Sequence, residues 1–232
     1  MPTPAEPATP PQAPWRIGMD VGGTFTDLVL ADRSGATWVS KVPSVPQDPS
    51  QGVLHAIDRL AADLGTSTGD VLTRCSLFVH GSTVATNTLL EGKGAKVGLL
   101  TTEGFCDALE IRRGLREEQW DHRAPYAPVM VVRYLRLPVA GRIDADGSES
   151  APPCLDDVAA AAATFAAEGV EAVAVALFNS FLDDHHEQAV VAELTRLGAS
   201  ERISASATVA PVMGEYERTS TAVVNAALAR AS

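Results

Sequence analysis

A carboxylate followed by two glycines and two threonines makes residues 18–27 the strongest chemical signal in this 232-residue sequence. Asp20 ends a predicted strand, and a carboxylate there can hold Mg²⁺ through water and offset phosphate charge. Glycines let backbone N–H groups approach phosphate oxygens, and hydroxyls add neutral donors. The predicted phosphate-binding residues are Gly22, Gly23, Thr24, Thr26 and Asp27. An ordinary glycine-rich hairpin turn is the simpler interpretation, but the flanking acid and threonines favour phosphate binding.

A second polar motif, residues 80–87, begins where a short strand is predicted to run into a helix. Such a turn presents N–H groups and hydroxyls at the positive end of a helix, which favours an anion. Thr83 and Asn87 are four residues apart and therefore share one helix face. The predicted substrate-binding residues of this motif are Ser82, Thr83, Thr86 and Asn87. The alternatives are a hydroxyl that simply caps the helix and a His80 that is a buried, hydrogen-bonded histidine.

Three arginines, Arg112, Arg113 and Arg116, form the third group. Guanidinium groups at this spacing can clamp a phosphate or an anionic substrate. The alternative is a solvated loop in which the arginines pair with the acids that follow them in the sequence. Composition alone favours neither interpretation.

The sequence His185-His186-Glu187 invites a metal-site interpretation, which its geometry disfavours. Adjacent residues of a helix point about 100° apart, so neighbouring histidines share one ion poorly. We expect this segment to cap the helix that it begins.

The last predicted helix carries Arg218, Thr221 and Asn225 on one stripe. A polar stripe there faces either a cleft, or a partner domain, or plain solvent.

Hydrophobic periodicity predicts the elements that position these motifs. Closely spaced strands over residues 17–42 predict a meander, because no connection is long enough for a crossover helix. Further along, helical and extended patterns alternate, which predicts an α/β fold with a mixed, mainly parallel sheet. The predicted helices cover 49–65, 155–167, 183–197 and 215–229, a further helix opens just after Ser82, and a helical turn lies near 104–109. The later strands cover 77–79, 97–100, 131–143, 171–178 and a segment from 203.

Composition excludes several classes of protein. Hydrophobic residues make up 46% of the chain, enough for a substantial core, so the chain is not a disordered protein. A net charge of −11 argues against nucleic-acid binding, although residues 91–142 carry a net positive charge. The proline-rich residues 1–15 predict a disordered tail that is not a signal peptide, and no segment is long enough to span a membrane. Three cysteines without CxxC spacing predict a reducing, cytoplasmic location.

Four segments together resemble the hydantoinase/oxoprolinase family. They are DVGGTFTDLVL at 20–30, HGSTVATNTLLEGKGAKVGLLTTEGF at 80–105, EGVEAVAVALFNSFLDDHHEQ at 168–188 and EYERTSTAVVNAAL at 215–228. The first looks like the family's phosphate-1 motif, and the second is similar to its HGTTVATNALLERKGA pattern, with Ser82 replacing the more usual threonine. The resemblance spans nearly everything beyond the tail.

The resemblance implies half of an ATPase of the actin/hexokinase/Hsp70 (ribonuclease H-like) fold, over residues 16–230, with ATP and Mg²⁺ as cofactors. It implies catalytic roles for Asp20, His80 and Arg113, with Asp20 on the metal and Arg112 and Arg116 beside the substrate. The family's second ATPase half and a hydantoinase B-type subunit are the expected partners, because this sequence ends after the first half. We therefore expect the isolated chain to be inactive.

The activity implied is ATP-dependent hydrolysis of a cyclic amide, in which phosphorylation activates a carbonyl oxygen. The arginine segment is similar to the acetophenone-carboxylase branch of the family, so an ATP-dependent ketone carboxylase is the alternative. A non-catalytic assembly domain is the third possibility.

Overall fold

The computed structural model describes residues 12–45, 48–116, 118–124 and 128–228. The chain divides into two compact units, Met1–Glu91 and Gly92–Ser232.

The first unit is built on a four-stranded mixed sheet of order β3-β2-β1-β4. β1, β2 and β3 form the predicted antiparallel meander, and β4 lies parallel to β1. The elements are β1 (Trp15–Val21), β2 (Phe25–Ala31), β3 (Thr37–Pro43), α1 (Pro49–Asp63), α2 (Thr68–Arg74), β4 (Cys75–Ser82) and α3 (Val84–Leu90).

The core of this unit forms because β1 alternates strictly between buried and exposed residues. Its buried side chains, including Trp15 and Ile17, form one cluster with Ile57 and Leu60 of α1. Asp48 caps α1 by accepting a hydrogen bond from the Ser50 N–H group. Trp15, at the end of the predicted tail, is the first residue of β1 and is 1% exposed. Residues 1–11 lie outside the described residues.

The second unit is built on a fully parallel sheet of order β10-β9-β5-β6, with a separate antiparallel hairpin of β7 and β8. β5 and β9 are buried at every residue, as central parallel strands are. The elements are β5 (Val97–Thr102), α4 (Ala108–Ile111), β6 (Arg136–Val139), β7 (Arg142–Ile143), β8 (Glu149–Ala151), α5 (Leu155–Ala167), β9 (Ala172–Ala176), α6 (His185–Arg196), β10 (Ile203–Ala205), α7 (Ser206–Val209) and α8 (Glu215–Leu228).

The structure confirms the predicted α/β class and mixed strand directions, and within the described residues it forms two four-stranded sheets and a hairpin rather than one central sheet. The short helices α2 and α7 were not predicted, and the last helix is described as far as Leu228. Among the described residues, no helix combines the length and hydrophobicity needed to cross a bilayer. Cys106 is buried, which raises the pKa of its thiol, consistent with a core role.

Candidate functional site in the first unit and neighbouring polar clusters

The first motif forms a tight link between β1 and β2. The Gly22 N–H group donates to the Phe25 carbonyl at 3.0 Å, which closes the turn. Ser44, just after β3, stabilises the link through two hydrogen bonds. Its hydroxyl donates to the Gly22 carbonyl at 2.7 Å, and its N–H group donates to the Thr24 carbonyl at 3.0 Å.

This link lies directly against the start of α3, so the first and second motifs meet. The Thr83 N–H group donates to the Val21 carbonyl at 3.1 Å. A methyl group added to Gly23 would lie 3.2 Å from Asn87 Nδ2, and one added to Gly22 would lie 3.8 Å from Thr83 Oγ1. Asn87 Nδ2 in turn donates to Thr83 Oγ1 at 3.3 Å. The approach of α3 therefore restricts position 23, whereas a side chain at position 22 would be restricted by the Phe25 carbonyl oxygen of the turn itself, 3.0 Å away.

The remaining hydroxyls of the second motif, those of Ser82 and Thr86, belong to exposed residues. Ser82 Oγ lies 3.5 Å from the Val21 carbonyl oxygen. Thr83 occupies the N-cap position of α3 without a side-chain cap hydrogen bond. Capping by this threonine, the simpler interpretation of its hydroxyl, is therefore not what the structure shows.

Asp20 is exposed at the end of β1, between two neighbouring strands. Its register partners are Asp27 on β2 and Gly81 on β4. A methyl group on Gly81 would lie 3.8 Å from Asp20 Oδ1, so the carboxylate reaches toward that strand. Asp27 is paired with Lys41 of β3, whose Nζ lies 2.8 Å from Oδ1 and 2.9 Å from Oδ2. Sequence reasoning missed Lys41, although the register of a meander brings it onto the face of Asp20 and Asp27.

Two predicted site residues lie on the other face of this sheet. Thr26 is fully buried, and its hydroxyl is 3.0 Å from that of Ser44. His80 is the register partner of Met19, which points into the core, whereas Asp20 points outward. The structure therefore does not bring Thr26 or His80 onto the face that carries Asp20.

Arg112 lies in the second unit and lines a cavity of about 190 Å³. It follows α4 directly and has a φ of 53°, in the region that most side chains avoid. Tyr216 and Ser220 of α8 line the same cavity. Arg112 therefore lies at a largely apolar opening between α4 and α8, whose other lining residues include Leu109, Val129 and Val223.

The other two arginines contact side chains rather than line that cavity. Arg113 forms an ion pair with Glu217 of α8, 104 residues away. The pKa of Glu217 lies below its ordinary value, because a backbone hydrogen bond and Arg113 both stabilise the carboxylate. Arg116 Nη1 lies 3.5 Å from His122 Nδ1. Glu117, one of the acids expected to pair locally, lies outside the described residues.

Glu187 is a buried acceptor, so the prediction that its segment caps the helix is wrong for this residue. Its Oε1 accepts hydrogen bonds from the Leu177 N–H group at 2.9 Å and the Ser206 hydroxyl at 2.6 Å. Its Oε2 accepts one from the Ala207 N–H group at 2.9 Å. The carboxylate thereby joins α6 to the end of β9 and to α7.

Arg218 is fully buried beside this carboxylate and faces neither a cleft nor solvent. Its guanidinium donates to Ser206 Oγ at 3.1 Å and to the Leu177 carbonyl at 2.9 Å. Asn225 donates to Ser204 Oγ at 2.9 Å, whereas Thr221 is exposed. The predicted polar stripe is thus mainly an anchor of α8, which side-chain periodicity alone could not distinguish from a ligand-binding face.

Comparison with known proteins gives a consistent result. Residues 16–198 match the model of the hydantoinase/oxoprolinase N-terminal region. The chain is 41% identical to the caprolactamase subunit alpha of Pseudomonas jessenii and 36% identical to the acetophenone carboxylase gamma subunit of Aromatoleum aromaticum. Each match covers 92% of this chain and 31% of the relative. The crystal structure of the ATP-dependent caprolactamase from Pseudomonas jessenii superimposes with a TM-score of 0.78 at 40% identity, over 93% of this chain and 31% of that one.

Proposed function

The chain belongs to the hydantoinase/oxoprolinase family through its N-terminal region, and we propose that it is the ATP-binding part of an ATP-dependent enzyme that hydrolyses cyclic amides. The observation that carries this proposal is the meeting of two motifs in the first unit. The Gly22-Gly23 link lies against Thr83 and Asn87, beside the exposed carboxylate of Asp20.

The residues at this place fit a phosphate and its metal ion. Asp20 offers the hard oxygen ligand that Mg²⁺ prefers. Gly22, Gly23 and Thr24 would face the phosphate, with Asn87 and Thr83 closing the other side. Bound there, ATP would supply the phosphoryl group that turns an unreactive amide oxygen into a leaving group.

Three predicted residues have revised roles in this proposal. We leave Thr26 out of the phosphate site, because its hydroxyl is buried against Ser44. Asp27 acts through Lys41, which it holds on the face that carries Asp20. His80 is left out of the phosphate site as well, because its register places it on the sheet face away from Asp20.

The arrangement of the first sheet supports an actin/hexokinase/Hsp70-like half. Three antiparallel strands are followed by a parallel fourth, and the glycine link joins the first two. Because the chain spans about a third of its relatives' length, we propose that turnover requires a second ATPase half, which the remaining two thirds would supply, and a separate B-type subunit.

The predicted substrate-binding arginines belong to the second unit, and we propose them as a ligand-binding place of that unit by itself. Arg112 is the residue we assign to an anionic or carbonyl group of the ligand, because it supplies a guanidinium group at the edge of a largely apolar cavity. Arg113 and Arg116 would add further positive charge for the same ligand group. Arg113 would first have to separate from Glu217, with which it forms an ion pair.

The alternative function is a subunit of an ATP-dependent ketone carboxylase. The 36% identity to the acetophenone carboxylase gamma subunit favours it, whereas the 41% identity to the caprolactamase subunit favours amide hydrolysis. An assembly domain that only completes a partner's site is the non-enzymatic possibility.

The test uses the reconstituted enzyme that contains this chain, with caprolactam or with acetophenone and bicarbonate. Lactam-dependent ADP release without bicarbonate is expected, and release only with ketone and bicarbonate would select the carboxylase. Asp20→Asn is expected to lower the rate by at least a hundredfold, because the metal-facing carboxylate is lost. Asp63→Asn, an equally conservative change at an exposed residue of α1, is the matched control. Equal activity of both variants would leave only the assembly role.

A further inference from the structure

Three side chains converge at one point of the second unit, outside the proposed phosphate site. Glu149 lies on β8, and His185 and His186 are the first two residues of α6. Glu149 Oε2 is 2.6 Å from His185 Nε2 and 2.8 Å from His186 Nε2. Their ligand atoms all lie within 4.8 Å of one another.

The two imidazole rings are held in place independently of Glu149. Asp183 Oδ1 lies 2.7 Å from His185 Nδ1, which directs the Nε2 atom of that ring toward the cluster. A carboxylate on the far nitrogen of a metal-binding histidine is the usual outer support of such a ligand. The His186 side chain is only 4% exposed, so packing fixes its orientation.

Adjacent residues of a helix point about 100° apart, yet the two histidine rings here still direct their Nε2 atoms to one place. Their planes are 79° apart and their centroids 4.5 Å apart, so the two Nε2 atoms approach one oxygen from different directions. Glu149 supplies the third direction from an element 36 residues earlier in the chain. Sequence spacing within α6 could not show this convergence.

We propose that Glu149, His185 and His186 bind a divalent transition-metal ion, with Zn²⁺ as the best match. Imidazole and carboxylate ligands suit zinc, and two histidines with one glutamate are an established zinc set. Tetrahedral zinc at ordinary bond lengths needs ligand atoms about 3.3 Å apart. Glu149 would therefore withdraw by roughly half an ångström, which its exposed position on a hairpin strand permits.

The ion would fasten the β7–β8 hairpin to α6. Glu149 is the first residue of β8, and both histidines belong to the first turn of the helix. Exposure of Glu149 and His185 leaves a coordination position open to water. The site uses no residue of the proposed phosphate-binding loop, so either proposal stands if the other fails.

Zinc binding to the chelator-treated, tag-free chain tests the proposal, with isothermal titration for affinity and Co²⁺ absorption for geometry. One Zn²⁺ per chain, a tetrahedral Co²⁺ spectrum and a higher melting temperature with Zn²⁺ are the expected results. Glu149→Gln and His185→Gln should abolish binding at micromolar Zn²⁺. Asp183→Asn should weaken it about ten- to hundredfold, because the support of His185 is lost.

His55→Gln is the matched control, since His55 is an exposed histidine of α1 in the other unit. Circular dichroism of each variant separates loss of the site from loss of folding. The proposal is overturned if the intact chain binds no zinc, or if Glu149→Gln and His185→Gln bind it as His55→Gln does. Either result would leave the cluster as a set of ion pairs.

Discussion

At the scale of one residue, Gly98 determines how closely α5 can approach the second sheet. Gly98 lies in the fully buried strand β5, opposite Phe165 of α5. A methyl group at Gly98 would lie 2.6 Å from Phe165 Cε1 and 2.7 Å from Cζ, well inside van der Waals contact. Because Phe165 is 0% exposed, its ring has little space into which to withdraw.

We therefore expect Gly98→Ala to lower the free energy of unfolding by about 1–3 kcal/mol, the usual cost of overpacking a core. Urea denaturation of the purified chain measures this directly. Gly18→Ala is the matched control in β1, because a methyl group there meets nothing within 4 Å. Equal losses of stability in the two variants would contradict the packing argument.

At the candidate site, the sequence predicted where the motifs lie but not which sheet face each residue occupies. The types and spacing of residues 18–27 and 80–87 located both motifs, and the structure brings their loops together. The sheet face that each side chain occupies was not predicted for Thr26 and His80. In a strand the face reverses at every residue and is set by register with strands elsewhere in the chain.

At the scale of elements, the carboxylate of Glu187 on α6 links this helix to the end of β9 and to α7. One carboxylate accepts hydrogen bonds from the N–H groups of Leu177 and Ala207 and from the Ser206 hydroxyl. Glu187→Ala would leave the Leu177 and Ala207 N–H groups without this acceptor, at about 1–3 kcal/mol for each, whereas the Ser206 hydroxyl still has Ser180 Oγ within 3.2 Å. We expect a loss of at least about 2 kcal/mol in the free energy of unfolding, measured by urea denaturation.

Two comparison variants sharpen this prediction. Glu187→Gln keeps one acceptor oxygen and should lose less stability than Glu187→Ala. Glu201→Ala changes an exposed glutamate near β10 and should stay within about 0.5 kcal/mol of the native chain. If Glu187→Ala were as stable as Glu201→Ala, the hydrogen bonds to the Glu187 carboxylate would not stabilise the fold as we expect.

Elements were predicted well where local chemistry decides them. The meander over 17–42 followed from connections too short for a helix, and α5 was predicted at its observed bounds, Leu155–Ala167. The short helix α2 was missed, because its single buried residue, Val71, gives no periodic signal. The Glu149 cluster was missed because strand β8 and helix α6 meet only in the folded chain.

At the scale of the whole molecule, the net-positive segment 91–142 is largely neutralised within the fold. Arg136 is buried, where it donates to the Val131 and Cys106 carbonyls and pairs with Glu110. Arg133 is paired with Asp107, and Arg113 with Glu217. Three of the cations in this segment are therefore already paired with acids of the fold.

The two units contain separate hydrophobic cores, and the candidate phosphate loop and the Arg112 cavity belong to different units. The chain as a whole corresponds to about a third of each relative described above. Under the proposed function, phosphate binding is thus a property of the first unit that can be measured on this chain, whereas turnover belongs to the larger enzyme.

The most direct test of the central claim is a titration of the ¹⁵N-labelled chain with Mg-ATP, followed by amide chemical shifts. We expect weak, saturable shifts concentrated at Gly22, Gly23, Thr24 and Asn87. These shifts should be lost in Asp20→Asn and retained in Asp63→Asn. The absence of shifts at these amides at millimolar Mg-ATP, or shifts that Asp20→Asn leaves unchanged, would contradict a nucleotide phosphate site in the β1–β2 link.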